Sequence, residues 1–153
     1  MPQMILKKHR NRKMLGLKWA MILLWGLVLC INTFTENLES LMSFQSVGFH
    51  WNWEPDYLSF FNMNDLTTID PDFILVKTGH FMGFAIMDLL IYNLTRSHKR
   101  SILFSMIFAF MTEFFQLFFG RDGRLYDMCI DSIGIWCVYF LLKWGQTIKQ
   151  AKD

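Results

Sequence analysis

Lys77 and His80, Glu113 and Gln116, and Asp127 and Asp131 form three polar pairs in otherwise apolar sequence. The first two pairs are spaced i,i+3 and the third i,i+4, so each projects from one face of a helix. Arg121 and Arg124 lie between the second and third pairs, in the short turn GRDGRLYD. These residue types serve two kinds of chemistry. His80 and Glu113 fit general acid–base work, and they are the candidate catalytic residues. Lys77 and Arg121 fit a clamp on phosphate or carboxylate, with the guanidinium offering bidentate contacts. The candidate binding set is Lys77, His80, Glu113, Gln116, Arg121, Asp127 and Asp131. Plainer roles stand beside these. Lys77 can snorkel to an interface, His80 and Glu113 can staple two helices, and Asp127 can cap a helix N-terminus. No metal and no cofactor are expected. Only His80 of the four histidines falls in the cluster, and the chain has no P-loop, GxSxG or HExxH. A divalent ion on Glu113, Asp127 and Asp131 is the lesser reading.

Four apolar stretches must position these groups. They run over about residues 14–31, 73–94, 101–119 and 128–144, each near the ~20 residues that cross a hydrocarbon core. The chain is 53% hydrophobic and 18% charged, a balance that excludes a disordered chain. A net charge of +2 with no basic stripe speaks against nucleic acid. No alternating ten-residue pattern suggests an outer-membrane barrel. The expected fold is therefore all-α: an integral membrane bundle of four transmembrane helices, one domain over residues 1–153, with an extracytoplasmic loop, 32–72, between helices 1 and 2.

Charge gives the orientation. Six basic residues lie within 1–18, three more at Arg96, Lys99 and Arg100, and three at Lys143, Lys149 and Lys152. The loop 32–72 carries seven acids and no Lys or Arg. The positive-inside rule then places both termini in the cytoplasm of a multi-pass cell-membrane protein. The first span competes with a signal peptide, but no small-x-small pair follows its apolar core, and an uncleaved anchor is expected. With ~1.5 Å of rise per helical residue, His80, Gln116, Asp131 and Glu113 all fall in the outer third of the membrane. Asp88 lies deeper, where a bond to Tyr92 one turn on or a proton path are its two readings. Gly79, Gly83 and Gly134 are expected to let helices approach closely, and Cys30, Cys129 and Cys137 to pack as buried apolar groups. The aromatics of the loop, Phe44 to Phe61, form either a lid or a loose connector dipping into headgroups.

Three blocks carry a resemblance: Lys77-Thr-Gly-His80-Phe81-Met-Gly-Phe84, Thr112-Glu113-Phe-Phe-Gln116-Leu-Phe-Phe-Gly120-Arg121, and Asp127-Met-Cys-Ile-Asp131-Ser-Ile-Gly134. In order and spacing they resemble the VanZ-like family, small bacterial membrane proteins named for a teicoplanin-resistance protein. Asp131 stands where the family usually has Asn, Val76 where it often has an acid, and Val138 where it has a further Gly. The resemblance implies a cell-envelope role, with glycopeptide tolerance as one form of it. The residues leave three functions open: an outer-face site that binds or modifies an anionic lipid-linked ligand, a small proton-coupled transporter, or a structural protein whose polar cluster only staples helices. Membrane lipid is the expected partner in each, and whether the protein is an enzyme stays open.

Overall fold

A computed structural model of the chain describes residues 2–35, 43, 47–63, 71–121 and 123–151, with backbone alone for 2–10 and 71–73. Helix α1 covers Pro2–Phe34, α2 Pro71–Thr95, α3 His98–Gln116 and α4 Leu125–Gln150. A 3-10 turn, Leu117–Phe119, extends α3, and another, Ser59–Phe61, lies in the long loop. There is no strand among the described residues. Four stretches are long and apolar enough to cross a membrane: Asn11–Phe34, Ile74–Thr95, His98–Phe119 (α3 with its 3-10 turn) and Leu125–Gln150. The protein is an all-helical membrane bundle. Helices α1, α2 and α4 extend beyond their expected spans at both ends because polar residues there continue the backbone ladder outside the apolar window. Helix α3 starts earlier than expected and ends at Gln116, its last expected turn being 3-10.

Helices α2, α3 and α4 pack against one another, and the broadest contact joins α2 to α4. Helix α1 lies against α2 and, less extensively, α3. Its apolar side chains mostly face outward, Leu23 at 68% and Leu24 at 65% exposure. In water that would be an aggregation hazard; in hydrocarbon it is the ordinary lipid-facing surface. The apolar core is Leu29, Phe84, Met87, Ile91, Ala109 and Ile135. Trp25 anchors α1 by donating its indole N–H to the Gly83 carbonyl, 2.9 Å away. Lys18 makes a second tie to α2 by donating to the Asn93 carbonyl at 2.7 Å.

Of the three glycines expected at helix contacts, two fit. A Cβ on Gly134 would meet the Phe81 carbonyl of α2, and one on Gly83 would lie 2.7 Å from the Leu29 side chain of α1. Gly79 differs: nothing approaches it within 4 Å, because it lines a cavity. Asp88 also departs from its expected partner. Its carboxylate accepts a hydrogen bond from Ser105 of α3 at 3.3 Å, while Tyr92 accepts one from Gln146 of α4. Residues four apart on α2 are thus drawn to different neighbouring helices. Cys129 is exposed, and Cys30 and Cys137 are only half-buried, since their helix faces turn toward lipid rather than the core.

The described part of the long loop forms a lid. Trp51 stacks on Phe118 at 5.6 Å and meets Phe119 edge-on at 5.2 Å, and Tyr57 reaches Phe114 and Phe118. The Asn52 N–H donates to the Phe118 carbonyl at 2.6 Å, which satisfies one of the acceptors a helix end leaves open. Phe44 and the acids Glu36, Glu39, Asp65 and Asp70 lie outside the described residues.

The α2–α4 contact predicts a specific weak point. Gly134→Ala should destabilise the purified protein by about 1–3 kcal/mol, because the new methyl meets backbone rather than a movable side chain. Gly79→Ala, with open space around it, should leave the thermal unfolding midpoint in detergent unchanged or slightly raised.

Candidate functional site

The polar groups gather at the loop end of the bundle, each pair brought there by a different helix. Helix α2 supplies Lys77 and His80, α3 supplies Glu113 and Gln116, and α4 supplies Asp127 and Asp131. Lys77 Nζ lies 2.6 Å from Asp127 Oδ1 and 2.7 Å from Oδ2, and 4.8 Å from the centre of the Tyr126 ring. Lys77 therefore turns into the bundle rather than snorkelling away. Its side chain retains 17% exposure and that of Asp127 5%, so the pair is largely desolvated and each charge depends on the other.

His80 sits between two carboxylates. Its Nδ1 is 3.2 Å from Asp131 Oδ1 and 3.4 Å from Glu113 Oε1. Both acids are fully buried, at 0% exposure. One ring nitrogen carries at most one proton, so it serves only one of the two acids at a time. The other oxygens are unequally served. Glu113 Oε2 accepts a hydrogen bond from the backbone N–H of Arg124 at 3.2 Å, which places a carboxylate at the positive end of α4. Among the described residues, Glu113 Oε1 and Asp131 Oδ2 have no hydrogen-bond partner.

Asp127 is not the N-cap of α4. That position belongs to Arg124, in extended conformation, and Asp127 occupies the first turn. The cap shifts because the chain needs Arg124's N–H for Glu113, while Asp127 is drawn to Lys77. Gln116 is buried at 3% exposure, and its backbone carbonyl accepts the Arg121 N–H at 3.1 Å. This bond spans five residues and closes over Gly120, whose φ of 63° is left-handed, in the manner of a Schellman cap. The Gly-Arg pair after the third span thus has a structural reason: glycine is the residue that turns left without strain.

The two arginines divide. Arg121 donates through one guanidinium nitrogen to the Thr35 carbonyl at 2.7 Å, at the end of α1. Arg124, only 5% exposed, donates to the Ser59 carbonyl of the lid at 2.7 Å. The sequence placed Arg124 in the turn between the second and third polar pairs and gave no role to Thr35, Ser59 or Gly123. No periodic pattern marks backbone acceptors in a loop, so these partners had no sequence signal. Gly123 is required because a Cβ there would strike the Glu113 carbonyl; its place in the GRDGR turn was the one available hint.

A cavity of about 380 Å³ opens between α1 and α2. Trp25, Leu29, Leu75 and Met82 are among its apolar lining, and Asn32, Thr33, His80 and Arg121 add polar groups. The arrangement combines a greasy cleft, a cationic head position and a buried acid–imidazole cluster.

The Lys77–Asp127 pair predicts a coupling. Lys77→Met alone should destabilise by about 3 kcal/mol, since it strands a desolvated carboxylate. Adding Asp127→Leu should recover most of that loss, measured as a double-mutant cycle on unfolding in detergent.

The comparisons with known proteins agree with this architecture. The chain is 31% identical over 126 residues to the uncharacterized membrane protein YwnJ of Bacillus subtilis (strain 168), covering 82% of this chain and 90% of the relative. No solved structure is significantly similar. The VanZ/LLP1 family pattern matches residues 17–146, a stretch that contains the Lys77–His80, Glu113–Arg121 and Asp127–Gly134 blocks, and the chain belongs to that family.

Proposed function

We propose that this protein acts in the bacterial cell envelope by holding an anionic, lipid-linked ligand in the cleft between α1 and α2. The cavity carries this reading. Its lining is mostly apolar, including Trp25, Leu29, Leu75 and Met82, and His80 and Arg121 line it too. A ligand with an acyl or prenyl tail enters such a cleft sideways from lipid, while its phosphate or carboxylate head meets the guanidinium. Arg121 already donates to the Thr35 carbonyl, so the head competes for or joins an existing bond and stays close to the end of α1. Glycopeptide tolerance, which the resemblance implies, is the cellular trait proposed to depend on this site.

The proposed location is the cell membrane, with both termini cytoplasmic and the lid outside. The support is the twelve basic residues in the terminal and α2–α3 segments against none in residues 32–72. In a chain with Cys30, Cys129 and Cys137 replaced, a membrane-impermeant maleimide should label a cysteine at Leu58, which is 81% exposed, from outside intact cells. A cysteine at Ser97 should react only after permeabilisation. The opposite pattern would invert the topology and remove the outer-leaflet ligand.

A second reading, acid–base chemistry on the same ligand, is favoured by the contact of His80 Nδ1 with Asp131 and Glu113. Binding and chemistry separate experimentally. Gly79→Leu fills the cleft from a position with free space around it, and should abolish co-purification of the lipid ligand without lowering stability. Arg121→Gln should weaken binding of anionic headgroups by roughly tenfold and spare neutral ones, the loss of one charge-assisted contact. Equal affinity for both headgroup classes in wild type and variant would refute the anionic ligand. Chemical alteration of the lipid by wild type, lost in Glu113→Gln, would mark an enzyme.

A further inference from the structure

The lipid reading uses Arg121 and the cleft; it leaves two fully buried acids facing one imidazole. Lys77 pairs with Asp127 at 2.6 Å, and the Arg124 guanidinium donates to the Ser59 carbonyl. Among the described residues, Glu113 and Asp131 share His80 as their ion-pair partner, so when both acids are ionised one imidazole faces two negative charges. Glu113 Oε1, at 0% exposure and without a hydrogen-bond partner among the described residues, points at His80 Nδ1 from 3.4 Å. Asp131 Oδ1 approaches the same nitrogen at 3.2 Å.

We propose that His80, Glu113 and Asp131 bind one divalent transition-metal ion of the zinc type, with a further coordination position open toward the α1–α2 cavity. Their ligand atoms all lie within 4.8 Å of one another. Ligands ~2.0–2.2 Å from a tetrahedral ion sit roughly 3.3–3.6 Å apart, so the two measured separations from His80 already approximate edges of such a site. The donor set selects the ion. One imidazole and two carboxylates suit zinc or manganese, whereas magnesium and calcium prefer oxygen ligands alone. Two carboxylates balance a doubly charged cation, and a neutral imidazole completes a set of three. Three protein ligands leave a position for water or another oxygen donor, and His80 borders the cavity from which one would enter. Asp131 is the residue that distinguishes this chain's third block, and it supplies the second charge.

The site stands without the lipid reading, and its test uses the metal alone. The full-length protein is purified in detergent, stripped with EDTA, and titrated with Zn²⁺ and with Mg²⁺ by calorimetry. Wild type should take up about one Zn²⁺ per chain, with Mg²⁺ at least tenfold weaker. His80→Ala, Glu113→Gln and Asp131→Asn should each weaken Zn²⁺ by tenfold or more. Glu54→Gln, on the exposed lid, should bind as wild type does. Should the cluster variants fail to accumulate, wild type still decides: Zn²⁺ should raise its unfolding midpoint and shield His80, among the four histidines, from diethylpyrocarbonate as read by mass spectrometry. Substoichiometric zinc, binding unchanged by Glu113→Gln, or an unshielded His80 would overturn the site and show that the acids are balanced by protons. None of these outcomes depends on lipid binding, so either reading can fail alone.

Discussion

A carboxylate inside an apolar bundle has no bulk water to turn to, and helices α2, α3 and α4 each bring ionisable groups to the same level. Exposing any of these groups to hydrocarbon costs several kcal/mol. The groups are therefore held where the helices meet, and the meeting sets the rest of the structure. Asp127 needs Lys77, Asp131 and Glu113 both need His80, and α2 is the helix that carries the two bases. This is why α2 stands central and why its contact with α4 is the broadest. Gly134 follows from the same demand. Only a residue without a side chain lets α4 come close enough to the Phe81 carbonyl for Asp131 to reach His80.

At the loop end both arginines reach backbone carbonyls of other segments. Arg121 is anchored on Thr35, and Arg124 on Ser59. The first ties the end of α1 to the turn after α3; the second ties the lid to the start of α4. Aromatic contacts of Trp51 and Tyr57 with Phe118 complete the closure. The lid thus rests on the same turn that orients Glu113 through the Arg124 N–H. A disturbance at the lid has a short physical route to the buried cluster. Helix α1 is held more lightly, by Trp25, Lys18 and Leu29. The cleft lies along this less embedded helix, which is where a ligand from the lipid phase meets least resistance.

Much of this was legible in the residues themselves. Four apolar runs, each long enough to span, make a helical membrane bundle because hydrocarbon leaves the backbone no other way to satisfy itself. The i,i+3 and i,i+4 spacing of the polar pairs follows from helix geometry, so each pair's shared face was readable before any packing was known. The three blocks also carried the family. Individual partners were less legible. Asp88 was expected to bond along its own helix to Tyr92, yet Ser105 on α3 takes it. Gly79 shared its residue type with Gly83 but opens onto a cavity instead of a neighbour. Asp127 looked like a cap and is an ion-pair member.

The amino-acid sequence by itself determined the elements and the polar content of each helix face, because hydropathy and helical period are local properties of the chain. Which face meets which was decided only by the tertiary structure. The pairing of Lys77 with Asp127, the placing of His80 between Glu113 and Asp131, and the use of carbonyls at Thr35 and Ser59 all depend on helix rotation and on loop paths. Those are settled by packing against neighbours distant in sequence, where glycine positions permit contact and buried charges require it.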